Sequence, residues 1–371
     1  MRPDPLTNRQ LNRATLSRQL LLRRSDLPAT DAVAHLVGLQ AQVPLDPYTA
    51  LWSRLERFRP EQLSAPLVER KVVRVSVMRA TIHLVGADDC LLLRPLMQPV
   101  LDAELARHRD YSPLLRDVDL EAVLAFTRAL LAERSLTGPE LRAALADRFP
   151  RHDSAALAYA CRCRLALVQV PPRGVWGKTA QARVTTAESW LGRPLLERPS
   201  LEDVVLRYLG AFGPASTADV TTWCRLTGMR EVVERLRPRL RPFRDENGRE
   251  LFDLPEAVRP ERDVPAPTRF LPEYDNVLLS HADRSRFVAD DVRAALGRMG
   301  GIGWGAVLHD GLACGVWRLE SDQTTRAATL AVRPVTRLAK RATAAIEAEG
   351  RRYLRFATAD ADGHEVRVSA A

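Results

Sequence analysis

The chain has 371 residues, a formal charge of +9 and an ordinary apolar fraction, which fits a globular protein of two or three domains. No stretch approaches the roughly 18 uninterrupted apolar residues of a membrane span, and Met1 to Pro5 lacks the apolar core of a secretory signal. Five scattered cysteines argue against a disulfide framework, Cys161-Arg162-Cys163 has the wrong spacing for a zinc knuckle, and a cytoplasmic, nucleoid-associated protein is expected.

Helices are expected over Asn8 to Arg24 and Thr30 to Gln40. In the second, Val33, Leu36 and Val37 form an apolar face that Gln40 extends, so a neutral amide stands where an apolar residue belongs. Pro44 and Pro47 follow, and the helix should end near Gln42, which allows Gln40 and Gln42 to turn toward one site. Asp46-Pro47 starts the next helix, a short one follows Pro60, and Val72 to Met78 with Thr81 to Val85 reads as a hairpin.

The same order recurs twice. Helices over Leu120 to Glu133, 139–148 and 153–164, with a capping box at Thr137 to Glu140, precede strands at Leu165 to Val170 and Ala182 to Thr185. Then helices from Leu201, from Ser216 to Trp223 and from Met229 to Leu240 precede a hairpin turning at Asn247-Gly248. Helix, turn, helix, hairpin is the winged-helix plan. The fold class expected is α+β: three tandem winged-helix units at 1–118, 119–198 and 199–260, then a small α+β region at 261–371. That region should hold a hairpin around Asp310-Gly311, a strand over Thr325 to Arg333 and a helix over Val335 to Glu349.

The excess of base over acid points to an anionic partner, nucleic acid first. Lys71, Lys178 and Lys340 are the only lysines, so arginine supplies nearly all the positive charge, and it suits bidentate phosphate contacts. No P-loop, dinucleotide fingerprint, metal or flavin site is visible, so no cofactor is expected.

Five segments run nearly end to end: Gly38-Leu39-Gln40-Ala41-Gln42; Val77 to Val85; Pro171 to Gly177; Leu271-Pro272-Glu273-Tyr274-Asp275-Asn276; and Leu278 to Arg284. Asp310-Gly311 and Gly315-Val316-Trp317-Arg318 close the series. In these motifs the chain resembles the bacterial tandem winged-helix DNA glycosylases, most closely the actinobacterial branch that confers azinomycin resistance by unhooking interstrand crosslinks.

The resemblance implies that Gln40 and Gln42 are catalytic, since the family motif is Gln, an apolar residue, then Gln or Asp. It implies DNA contact for Arg79, His83, His281, Asp283, Arg284 and Arg286. Read alone, Gln40 is a buried amide, Arg79 and His83 are strand residues, and the cluster after Ser280 is a solvated turn. Asp275 reads as an Asx-turn acceptor.

The implied activity is monofunctional hydrolysis of the N-glycosidic bond in N7-alkylated purines and crosslinks, on double-stranded DNA, by a monomer. Two rivals remain at this level: a non-catalytic winged-helix regulator or lesion-binding protein, and a glycosylase limited to small N7-alkyl monoadducts.

Overall fold

The computed structural model describes residues 5–299, 303–322 and 326–370. The first stretch holds α1 (Asn8–Arg18), α2 (Ala29–His35), β1 (Leu39–Gln40), α3 (Asp46–Arg54), α4 (Glu61–Val68), β2 (Val72–Ser76), β3 (Ile82–Gly86), α5 (Ala87–Leu96) and α6 (Gln98–Arg107). The second holds α7 (Leu120–Glu133), β4 (Leu136–Thr137), α8 (Gly138–Arg148), α9 (Ser154–Arg164), β5 (Leu167–Val170), β6 (Arg183–Thr186) and α10 (Ala187–Leu191). Then come α11 (Leu201–Phe212), α12 (Thr217–Cys224), α13 (Met229–Leu236), β7 (Arg241–Arg244) and β8 (Glu250–Asp253). The last stretch holds β9 (Arg269–Leu271), α14 (Asp290–Met299), β10 (Gly305–His309), β11 (Leu312–Asp322), β12 (Ala327–Pro334), α15 (Lys340–Ala357) and β13 (Gly363–Val368). The architecture is mixed α+β.

Local chemistry sets many of these ends. Thr137 and Glu140 cap α8 reciprocally, and Ser216 and Asp219 do the same for α12. Two expected helices shift. The first ends at Arg18, because Leu20 turns left-handed at φ 58° and the amides of Leu21 and Leu22 fold back onto Leu16 O. The last begins at Lys340 rather than Val335, because the Val335 amide still bonds Cys314 O at the sheet edge, and it runs on to Ala357. Part of the expected strand from Thr325 lies outside the described residues.

The hairpins at β2–β3 and β5–β6 do not stand apart as separate wings. They join edge to edge through Arg74↔Gln169 and Val75↔Val168 into a six-stranded sheet, β1-β3-β2-β5-β6-β4. Pairing those edges satisfies backbone groups that would otherwise face solvent. The sheet is covered on both faces. Val73, Val75, Val85 and Val168 enter a core shared with α5 to α13, while Leu39, Val72 and Leu84 enter a second core with Trp52, Phe270 and Ile346. Among the described residues only β7–β8 forms an isolated hairpin.

At the C-terminal end β13-β12-β11-β10-β9 form the second large sheet, with α15 crossing from β12 to its parallel neighbour β13. Asp310 (φ 47°) and Gly311 (φ 81°) make the tight β10–β11 turn. Among the described residues no helix is long and apolar enough to cross a membrane, and no group of three His, Cys, Asp or Glu side chains converges as a metal site.

Candidate active site

The expected helix over Thr30 to Gln40 ends early, at His35, and Gln40 is a strand residue. Val37 sits left-handed at φ 55° just past the end, its amide bonding Ala34 O, while the Gly38 amide bonds Val33 O. That is a Schellman ending with valine at the position glycine usually fills. Left-handed backbone costs a non-glycine residue roughly 1–2 kcal/mol. Complete burial of the Val37 side chain in the main core offsets it, at about 1.5–3 kcal/mol for a side chain of this size. Gly38 follows at φ 93°, and an added Cβ there would meet Val85 Cγ1 at 2.7 Å and Leu84 O at 3.1 Å. Glycine is required to bring β1 this close to β3.

β1 then pairs Leu39↔Leu84 and Gln40↔His83, and the Ala41 amide extends the ladder to Ile82 O at 2.8 Å. Alternation along extended chain does the rest. Leu39 and Ala41 are buried in the second core, so Gln40 and Gln42 share the opposite face. Gln40 is 7% exposed, whereas Gln42 is exposed, its Oε1 accepting only a long bond from the Ile82 amide at 3.4 Å.

Arg79 is the hub on that face. It lies in the short turn between β2 and β3, where Arg79 (φ 57°) and Ala80 (φ 56°) are both left-handed. Two adjacent non-glycine residues in that region store strain, a feature that concentrates at functional sites. Arg79 Nη1 donates to Trp223 O at 3.0 Å. Nη2 faces Gln40 Oε1 and Asn276 Oδ1, both at 2.8 Å, and His83 Nε2 at 3.2 Å. Asn276 in turn donates from Nδ2 to Gly38 O at 3.1 Å, tying the strained turn to the hub.

Burial lowers the Arg79 guanidinium to about 10, with Arg225 and Arg284 adding cationic repulsion, so it remains charged at neutral pH. Burial first, and Arg79 second, pushes His83 down to about 3. The imidazole is therefore neutral. Its Nδ1–H donates to Thr81 O at 3.0 Å, leaving the Nε2 lone pair for Arg79. His83, expected at the DNA, is wholly buried and packs against Arg79.

The segment carrying Asn276 is anchored from the other side. Asp275 accepts two bonds from Arg54, at 2.8 and 2.7 Å, and one from the Val277 amide at 3.0 Å, so the Asx turn is present beside a buried ion pair. Beyond the hub, Arg79, Ala80, Arg107 and Arg225 line a cleft of about 370 Å³. Arg225 ends α12 left-handed at φ 66°. Arg284 is exposed and has no ion-pair partner among the described residues. Burial lowers it, as do Arg293 and Arg225, which places these cations in one field.

The remaining expected contacts divide by burial. His281 is enclosed, donating from Nε2 to Phe212 O at 3.0 Å, and burial with Arg286 beside it pushes the ring to about 3. Arg286 is also enclosed and donates to Thr15 Oγ1 at 3.2 Å and Pro214 O at 3.0 Å. Both side chains are enclosed, and the bonds they make brace the interior. Asp283 is half-buried; partial burial pushes its carboxyl up, but the Ser285 amide and Arg249 hold it at about 2, an anion unsuited to a phosphate. Sequence reasoning passed over Asn276, Arg225 and Arg107; the first stood inside a quoted motif, and the other two had no local signal.

Among curated proteins none matches the chain. Among solved structures, the Streptomyces sahachiroi DNA glycosylase AlkZ superposes with a TM-score of 0.80 over 99% of this chain and 100% of that one, at 21% identity. At that identity the likeness is one of fold. The family described as DNA glycosylase AlkZ-like matches residues 33–356, a span that contains the Gln40–Gln42 strand, the Arg79 hub and Asn276. The chain belongs to the AlkZ-like DNA glycosylase family.

Proposed function

We propose that the protein hydrolyses the N-glycosidic bond of N7-alkylated purines in double-stranded DNA, unhooks interstrand crosslinks and leaves an abasic site. It would do so as a monomer built on three tandem winged-helix units, in repair of or self-resistance to a DNA-alkylating agent. The observation that carries this reading is the pair of neutral amides, Gln40 in β1 and Gln42 just past it, one fixed by Arg79 and one weakly held, beside a cleft lined by Arg79, Arg107 and Arg225.

Amides provide no strong acid for a departing base. An N7-alkylpurine needs none, because it already carries the positive charge that leaves with the bond electrons. As the C1′–N9 bond breaks, the base departs neutral and positive charge develops on the sugar. A water oxygen bonds to C1′ and its proton passes to solvent. Gln42 Oε1, exposed and weakly held, suits the placing of that water. Gln40 Oε1 already accepts from Arg79, so its role is to fix the amide dipole toward the sugar. None of the three lysines lines the cleft, which supports hydrolysis without a Schiff-base step.

The test is alkali cleavage of abasic sites after incubation with N7-alkylguanine duplex and with a defined crosslink. Wild type is expected to cleave both, and Gln40→Ala and Gln42→Ala each to lose about a hundredfold or more in rate. Binding without abasic product would identify a regulator or lesion-binding protein instead. Cleavage of the monoadduct alone would restrict the activity to small lesions.

A further inference from the structure

A second arginine cluster lies away from the Arg79 cleft. A pocket of about 590 Å³ opens where the chain leaves α3, walled by Trp52 and Phe58 and by the guanidinium groups of Arg23, Arg24, Arg57, Arg269 and Arg352. α3 begins just after Gln42 and spans nine residues, so the pocket sits roughly 13 Å along that helix from the catalytic strand.

Its charge is not balanced from within. The buried Glu349 carboxylate is shared by three of the arginines: Arg24 at 2.6 Å, Arg352 at 3.1 Å and Arg269 at 3.5 Å. Among the described residues Glu56 is the one other carboxylate lining the pocket, which leaves an excess of three positive charges. Arg23 and Arg57 are exposed, and neither has a hydrogen-bond or ion-pair partner among the described residues. Arg57 is held left-handed at φ 51°, a strained backbone that keeps an unpaired cation at the pocket mouth. Arg24 lies 4.7 Å over the Trp52 ring, so its guanidinium plane is fixed before any ligand arrives. Unpaired cations around fixed, fork-shaped donors match the geometry of a phosphate, which takes bidentate arginine bonds and cancels the surplus charge.

We propose that this pocket is a phosphate-binding site, separate from the Arg79 cleft, that grips a backbone phosphate of the DNA strand. It rests on the chain acting on DNA and does not depend on which base is excised. A grip there anchors the strand at the far end of α3 while the other end presents Gln40 and Gln42.

The test measures duplex affinity by fluorescence anisotropy across a salt series, for wild type and for the double variant Arg23→Gln/Arg57→Gln. Both positions are exposed and unpaired, so folding is unaffected. The variant is expected to bind roughly tenfold more weakly near physiological salt, with a salt slope shallower by about one to two. Its abasic-site yield at saturating enzyme should equal that of wild type. Arg128→Gln/Arg142→Gln, exposed on α7 and α8 outside the pocket, is the control for bulk charge. Unchanged affinity and slope in the pocket variant would overturn the proposal, as would an equal loss in the control. Thermal stabilisation by inorganic phosphate or a deoxynucleoside monophosphate, present in wild type and absent in the variant while duplex affinity stays the same, would reassign the pocket to a free nucleotide. If wild type makes no abasic product, the glycosidic reading falls while the anisotropy still reads the grip.

Discussion

One nitrogen of Arg79, Nη2, carries two hydrogens and faces three acceptors, Gln40 Oε1, Asn276 Oδ1 and His83 Nε2. His83, the most distant, yields when the two oxygens take the hydrogens. The Arg79 Nε–H and one hydrogen on Nη1 stay free of these bonds, so the same side chain can hold Gln40 and still meet a phosphate. Lysine has neither the planar fork nor the reach to replace it. Arg79→Lys is therefore expected to slow abasic-site formation about a hundredfold through misplacement of Gln40. Duplex affinity should fall by less than roughly tenfold, the scale of a single phosphate contact. Single-turnover kinetics beside anisotropy separates the two, and a variant that keeps the wild-type rate would remove Arg79 from the positioning role.

At the scale of elements, the decisive device is the turn between α2 and β1. Gly38→Ala would place a Cβ against Val85 and the Leu84 carbonyl in a left-handed backbone, at an expected cost of about 2 kcal/mol or more. Because β1 cannot then reach β3 unchanged, activity should fall with stability; a urea midpoint equal to wild type would show that the turn relaxes freely. This turn also marks where sequence reading stopped. The β2–β3 and β7–β8 hairpins, the Thr137–Glu140 capping box and the bounds of α7 were legible because each is written in local chemistry: alternation, Asn-Gly, a Thr three residues before an acid. β1 was not, because Val37 continues the apolar face of α2 and nothing near it announces a left-handed residue. The edge-to-edge joining of two hairpins through β2 and β5 was also hidden, since pairing between residues about 95 apart leaves no local pattern. Gln40 and Gln42 were found through their motif, whereas the burial of His83, His281 and Arg286 depends on packing from distant helices and could not be read from their own neighbours.

Over the whole molecule, three buried titratable groups set how stability responds to mild acid. His83 and His281 are held at about 3, far below the 6.5 of an exposed imidazole. In the interval from about pH 4.5 to 5.5 they stay neutral when folded and take up protons when unfolded, so they favour the folded state as pH rises. Asp46, at the start of α3, behaves oppositely. Burial, reinforced by Glu273 and Asp275, raises its carboxyl from 3.8 to about 7, so it holds a proton in the folded state and releases it on unfolding. Its stabilising contribution is complete below the unfolded value and is lost as pH climbs toward 7. Two protons gained on unfolding against one released leave a net gain of one, so unfolding free energy should rise with pH by about 1.4 kcal/mol per unit in this interval. Asp46→Asn removes the opposing group and should steepen the slope to about 2.7 kcal/mol per unit. Guanidinium melts at fixed ionic strength between about pH 4.5 and 5.5 read both slopes. A wild-type slope near zero, or a slope that Asp46→Asn leaves unchanged, would mean that the imidazoles or the carboxyl meet solvent in the folded protein, and with them the packing around the Arg79 hub.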